Sequence, residues 1–300
     1  MDSVLDTSAF SRVCGATAIG ARLSRQYIAS LAVFPDGTRA AVTRDGVYRA
    51  PGGDGLLRMV FPVVRGSRPL NLCVDQMGRL LFGEYGDGLG DPRIYVSGDG
   101  GRTFETLYAF PRGSIRHIHN IVPQGRILWV FTGDYGDEPG IAALSLDGTV
   151  LEWLGRGAQM FRAVGAIPCG PLLVYGTDSD VERNFIVSLD TRSGRIDRLC
   201  EIGGSSLYAC RFGDLMLISS CVEPSEISKT QVASLYASQD SQTWSEVLQG
   251  EKDRLPPIFQ YGTFVLPSAA NAPSGGVFLS GQALSGYHDQ VVYGTTVSAE

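Results

Sequence analysis

Residues 73–83 read CVDQMGRLLFG: a short apolar run to Val74, a polar turn carrying Gly78, and a second apolar run from Leu80 to Phe82. Two such runs around a glycine-bearing turn describe a β-hairpin. The pattern recurs as AVFPDGTRAAV (32–42), IVPQGRILWVF (121–131), AIPCGPLLVYG (166–176) and CRFGDLMLIS (210–219). Its glycines, Gly37, Gly78, Gly125, Gly170 and Gly213, are spaced 41, 47, 45 and 43 residues apart. A sixth copy, APSGGVFLSG (272–281), places Gly275 62 residues beyond Gly213, with the excess between Trp244 and Pro267.

Each hairpin is followed by a loop and a third strand ending in a polar turn: RIYVSGDGGRTF (93–104), IAALSLDGTV (141–150), FIVSLDTRSGRI (185–196) and SLYASQDSQTW (234–244). A more irregular fourth strand follows, as in ETLYAF (105–110) and IDRLCEI (196–202). Four antiparallel strands every 40 to 50 residues or so is the period of a propeller blade, and a helical solenoid would need 3.6-residue apolar spacing that these runs lack. The expected fold is an all-β propeller of about six four-stranded blades, with a seventh allowed. It forms a single domain over 1–300, with blades over 27–298 and residues 1–26 as a segment that closes the last blade.

Composition agrees. Hydrophobic residues make up 44% and charged residues 19%, while 38 Gly and 15 Pro supply turns. The net charge of −6, without a basic run, excludes a nucleic-acid surface. No signal-peptide pattern and no membrane-length apolar stretch are visible, so a cytoplasmic location without membrane partners is expected. The six cysteines (Cys14, Cys73, Cys169, Cys200, Cys210, Cys221) form no C-x-x-C pair and read as reduced, largely buried thiols. Oligomeric state is not encoded legibly.

At the end of the second repeat's third strand, Ser97-Gly-Asp99-Gly-Gly101-Arg-Thr103-Phe104 fits the pattern S-x-D-x-G-x-T-W/F. Ser238-Gln-Asp240-Ser-Gln-Thr243-Trp244 is a copy one residue short, and Ser145-Leu-Asp147-Gly148-Thr149, Ser188-Leu-Asp190 and Thr43-Arg-Asp45-Gly46 are progressively weaker ones. On these motifs the chain resembles the BNR, or Asp-box, β-propellers of the sialidase-like superfamily, over roughly residues 27–298. The resemblance implies that these aspartates are structural, with side chains bonding backbone amides across a turn, and that the boxes lie opposite the ligand-binding end of each blade.

It also implies where a site belongs: at the start of each innermost strand and in the loop joining second and third strands. Those loops carry Glu84-Tyr85-Gly-Asp87, Gly133-Asp134-Tyr135-Gly-Asp137-Glu138, Asp178-Ser-Asp180-Val-Glu182-Arg183, Glu223-Pro-Ser-Glu226 and Gly286-Tyr287-His288-Asp289. The strand starts add Asn71, Arg116, His117, His119, Arg162, Tyr208, Gln260 and Tyr261. Two of the three histidines fall in the third repeat, where strand alternation puts His117 and His119 on one side.

These types suit a saccharide. His117, His119, Asp134, Asp137 and Tyr208 are the candidate catalytic groups, and Arg116, Arg162, Glu84, Tyr135, Glu138, Asp178, Gln260, Tyr287 and His288 the candidate substrate contacts. A sialidase, as the resemblance describes it, needs three arginines, and only Arg116 and Arg162 fit by phase; the family's early F/Y-R-I-P motif is absent. A glycoside hydrolase would use two carboxylates, Asp134 and Asp137 first. A polysaccharide lyase would use His or Tyr as base and Arg against a uronate carboxylate. The expected function is therefore a glycosidase or lyase acting on an acidic saccharide, the alternative being a non-catalytic glycan- or protein-binding propeller. No metal ligands and no cofactor are assigned; calcium is the ion that the oxygen-rich loop Gly133–Glu138 would suit.

Overall fold

The computed structural model describes residues 4–5, 17–24, 27–64, 69–86, 90–267, 276–289 and 291–295. Cys14, Asp87, Gly275 and residues 296–298, which the sequence reading used, lie outside this set. The chain divides into two compact units, Met1–Gly157 and Ala158–Glu300.

The first unit holds three sheets. β1 (Val4–Leu5), β2 (Ser30–Val33), β3 (Arg39–Val42), β4 (Gly46–Ala50) and β5 (Leu56–Pro62) form the first, in the order β1-β5-β4-β3-β2. β6 (Cys73–Val74), β7 (Leu80–Gly83), β8 (Arg93–Ser97) and β9 (Glu105–Ala109) form the second, and β10 (Ile118–Gln124), β11 (Ile127–Thr132), β12 (Gly140–Ser145) and β13 (Val150–Arg156) the third. A short helix spans Ala18–Ser24. The pair Val4–Leu5 runs parallel to Leu56–Leu57 on the outer strand of the first sheet.

The second unit begins with β14 (Ala163–Cys169), β15 (Leu172–Thr177), β16 (Asn184–Asp190) and β17 (Ile196–Ile202) as one four-stranded sheet. β18 (Ser206–Phe212), β19 (Leu215–Val222), β20 (Val232–Ser238) and β21 (Ser245–Glu251) repeat the meander. β22 (Gly262–Val265), β23 (Val277–Gln282) and β24 (Tyr293–Thr295) extend it, because the end of β19, at Cys221 and Val222, pairs with Thr263 and Gly262.

Why these residues form these elements follows from the hairpin text. Gly37, Gly78, Gly125, Gly170 and Gly213 all adopt φ between 56° and 79°, which glycine reaches without a Cβ penalty. Apolar strand residues then pack between neighbouring sheets. Leu81, Ile94 and Val96 of the second sheet meet Ile118, Leu128 and Val130 of the third. In the second unit, Ile167, Val174 and Ile186 meet Met216, Ile218 and Tyr236. Five cysteines are described as free thiols, with Cys73, Cys210 and Cys221 buried.

The polar turns behave as their side chains dictate. Asp99 Oδ1 accepts bonds from the backbone amides of Arg102 (2.9 Å) and Thr103 (3.0 Å) and from Ser97 Oγ (2.8 Å). Asp240 Oδ1 accepts from the amides of Gln242 (2.8 Å) and Thr243 (2.7 Å) and from Ser238 Oγ (3.0 Å). The aromatic residue closing each turn goes inward: Phe104 lies against Phe61 and Phe82 at 5.5 and 5.3 Å between ring centres, and Trp244 is buried beside Ile186 and Tyr236. Both turns, like Ser145–Thr149 and Ser188–Asp190, join third to fourth strands. Thr43–Gly46 instead joins the second strand to the third, at the other end of its sheet, so it is not a further copy of the motif.

Candidate functional site

The third sheet concentrates the chemistry. Between Ile118 and Asn120 the pairing of β10 with β11 slips, leaving His119 as the extra residue of a β-bulge. A bulge twists its strand and re-aims the side chain it carries. His119 there meets His117, the residue just before β10, with the two Nε2 atoms 3.1 Å apart.

Asp134 reaches both rings. Its Oδ1 is 3.1 Å from His119 Nε2, and its Oδ2 is 3.1 Å from His117 Nε2. Gly133 sets this up: φ is 136°, and a Cβ there would lie 2.6 Å from the Cα of Pro139. Thr132 Oγ1 donates to the carbonyl of Glu138 at 2.8 Å, holding the loop closed on itself.

The second sheet supplies the roof. Tyr85 stacks on the His117 ring, 3.9 Å between centres and 18° off parallel, and the carbonyl of Gly86 lies 3.2 Å from His117 Nδ1. A carbonyl only accepts, so Nδ1 carries the proton and Nε2 of a neutral His117 presents a lone pair. His117 and His119 are 3% and 2% exposed, and Asp134 8%.

Burial by itself would raise the Asp134 carboxyl, but the hydrogen bonds and charge of His117 and His119 outweigh it and hold the group well below the ordinary carboxylate range. Asp134 is therefore an anion, not a proton donor, near neutral pH. Arg116 extends over Tyr135, 5.8 Å from the ring centre, with its Nη1 3.7 Å from Asp134 Oδ2. These two are the exposed members of the group.

Asp137 and Glu138 turn elsewhere. With Tyr135, Ser114 and Arg156 they line a cavity of about 550 Å³. Glu138 Oε2 is buried there without a hydrogen-bond partner among the described residues. Arg156 Nε donates to the Asp137 carbonyl at 2.8 Å. Asp134 and Asp137 thus serve different neighbourhoods. Glu84 Oε2 accepts from the Arg93 amide at 3.2 Å, and the Glu84 carbonyl accepts from the Ile118 amide at 3.0 Å, which ties the second sheet to the start of β10.

The other predicted residues lie in the second unit. Arg162 precedes β14 and is 7% exposed; its Nη1 is 2.7 Å from Asp180 Oδ1 and its Nε 3.5 Å from Asp178 Oδ2. Its guanidinium is engaged by acids of its own sheet. Tyr208 is half-buried on β18, Gln260 half-buried before β22, and His288 exposed. Tyr287 packs against Phe264, 5.4 Å between ring centres.

Tyr85, Gly86, Gly133 and Asp180 complete these arrangements without having been singled out from the sequence as site residues. Tyr85 and Asp180 stand in the acidic loops, which was the available signal. The role of Gly86 rests on its carbonyl, which leaves no mark in sequence. Among the described residues, His117, His119 and Asp134 form the one group of three metal-ligating side chains within mutual reach.

No protein-family model and no curated protein matches the chain. Solved structures do. A chain of a nidogen/laminin complex aligns at a TM-score of 0.54 and 18% identity, covering 74% of this chain and 79% of that one. An oligogalacturonate lyase in complex with manganese aligns at 0.52 and 14%, covering 76% and 66%. A protein from Lactobacillus plantarum aligns at 0.52 and 14%, covering 87% and 83%. Together with the successive four-stranded antiparallel sheets, these similarities place the chain in the β-propeller fold class.

Proposed function

We propose that this chain is a carbohydrate-active enzyme acting on an acidic saccharide at the His117–His119–Asp134 cluster. The observation that carries the reading is the cluster itself: two buried imidazoles and an ionised carboxylate within 3.1 Å of one another, with Arg116 at its rim. A uronate carboxylate would pair with the Arg116 guanidinium, and Tyr135 would offer its face to the sugar. An imidazole of the cluster takes the proton next to that carboxylate, and the C–O bond to the departing sugar breaks with its electron pair on oxygen. That oxygen takes a proton from water, and Arg116 stabilises the charge that builds on the carboxylate.

Elimination is favoured over hydrolysis. Hydrolysis needs one carboxyl group protonated and a second one facing it, whereas Asp134 is the one carboxylate of the His117–His119–Asp134 cluster and is held ionised. The Ser97 and Ser238 turns support the finer family reading, a BNR or Asp-box propeller of the sialidase-like superfamily. The fold is shared with an oligogalacturonate lyase, a protein whose name denotes an acidic sugar. One observation favours a second reading: both imidazoles are almost fully covered, which suits a non-catalytic glycan-binding surface built on Arg116 and Tyr135.

The test is a panel of neutral and acidic oligosaccharides, read by the ultraviolet absorbance of unsaturated uronate and by product sizing. Unsaturated product from acidic members is expected. Cleavage without that absorbance selects hydrolysis, and binding without cleavage selects the second reading. Absence of both binding and cleavage across the panel overturns the proposal.

A further inference from the structure

We infer that His117, His119 and Asp134 bind a divalent first-row transition-metal ion. The inference stands apart from the saccharide reading and starts from lone pairs. Because His117 Nδ1 faces the Gly86 carbonyl, the Nε2 atom of a neutral His117 has a lone pair directed toward His119 Nε2 and Asp134 Oδ2, both 3.1 Å away. His119 Nε2 can supply one proton, to one of its two neighbours. The remaining contact sets lone pair against lone pair unless one imidazole takes a second proton or a metal cation occupies the space between the donors.

The geometry fits an ion. A metal about 2.1 Å from each donor holds neighbouring donors about 3.0 Å apart at right angles and about 3.4 Å apart in a tetrahedron. The observed separations, 3.1 Å between the two nitrogens and 3.1 Å from each nitrogen to its own oxygen of the Asp134 carboxylate, fall in that interval. The carbonyl on His117 Nδ1 is the second-shell partner that ligating histidines require, fixing ring and tautomer. The Tyr85 ring, 3.9 Å from that of His117, keeps the imidazole from turning away.

Two nitrogens among three donors favour ions such as manganese, iron or zinc over calcium and magnesium, which prefer all-oxygen shells. Two neutral imidazoles and one carboxylate leave a divalent ion with net positive charge and at least one position for water or a substrate oxygen.

The test uses metal alone. Protein treated with chelator and dialysed is titrated with Mn(II), Zn(II) and Ca(II) separately, with bound metal measured by elemental analysis. One Mn(II) or Zn(II) per chain is expected, with a raised melting temperature and no comparable effect of Ca(II). His119→Ala and Asp134→Asn should weaken binding at least about tenfold, and Asp240→Ala should leave it unchanged. Should those variants fail to fold, X-ray absorption on the loaded parent protein decides, with imidazole scattering expected around the ion. No bound ion, binding equal in all variants, or an all-oxygen shell overturns the inference. A protein that takes up no ion in the titration yet cleaves an acidic saccharide overturns this inference and leaves the proposed function standing. A metal-binding protein inert toward every saccharide does the reverse.

Discussion

The third and fourth sheets use the same scaffold for opposite ends. In each, the first strand slips register near its start, between Ile118 and Asn120 or between Ala163 and Ala166, and in each the second strand ends in a threonine followed closely by an aspartate. The third sheet fills the position with His117 and His119 against Asp134. The fourth fills it with Arg162 against Asp178 and Asp180. A guanidinium is charged at every accessible pH, so the fourth arrangement carries its own permanent counter-ion for Asp178 and Asp180. Imidazoles carry charge only when protonated, which leaves the third arrangement dependent on a proton, an ion or a ligand. One construction is a clamp; the other is a receptive site.

The comparison breaks most visibly in turnover. On whichever acidic oligosaccharide proves to be a substrate, Asp134→Ala should lower kcat/KM by about a hundredfold or more, as for the loss of the carboxylate that orients an imidazole base. Arg162→Ala should lower it by less than about tenfold at a temperature where the variant is folded. Equal losses would erase the distinction between the two sheets.

Stability should show the reverse emphasis. Arg162→Ala leaves Asp178, with 8% side-chain exposure, without its guanidinium. Removing one partner from a buried pair costs about 3 kcal/mol, to be read from urea unfolding. Gly133→Ala sharpens the contrast, since it forces a Cβ toward Pro139 at a φ that L-residues avoid. A loss of about 2 kcal/mol is expected, together with weakened metal binding as Asp134 shifts.

The smallest effects belong to the acids at the other end of the sheets. Asp99→Ala should cost about 1 kcal/mol in unfolding, through lost side-chain to backbone bonds, and leave kcat/KM unchanged. The amides of Thr243 and Gln242 hold the Asp240 carboxyl down, to about 2. A depressed folded pKa means that the contribution is complete above the ordinary carboxylate value of about 4 and is lost as pH falls toward 2. Melting temperatures of parent and Asp240→Asn should therefore converge over that interval, and a gap that stays constant would argue against the turn geometry.

How far sequence reaches is visible in these same residues. Hairpin glycines are legible because positive φ is a local demand that almost no other residue meets, and a period of about 45 residues repeats that demand at fixed phase. The acidic loops were legible as loops, and His117 with His119 as an anomaly in an apolar strand. What joined them was not. Tyr85 and Gly86 act on His117 from 32 and 31 residues away in sequence, through a ring face and a carbonyl. Arg162 could be read as a free carboxylate clamp until Asp178 and Asp180 were found against it. Propensity and spacing describe strands; they do not describe which loop from one sheet covers the strand of the next.

The pairing of β19 with both β20 and β22 bears on how such a chain could have grown. Repeat proteins lengthen and shorten by duplication and excision of whole modules, and a module can be cut out cleanly only where its borders are held by side chains alone. Here the fifth and sixth repeats share backbone hydrogen bonds at Cys221–Thr263 and Val222–Gly262. Excising the sixth would strip the end of β19 of its ladder and leave buried peptide groups unsatisfied. The last two repeats are thus one heritable piece, to be gained, lost or transplanted together.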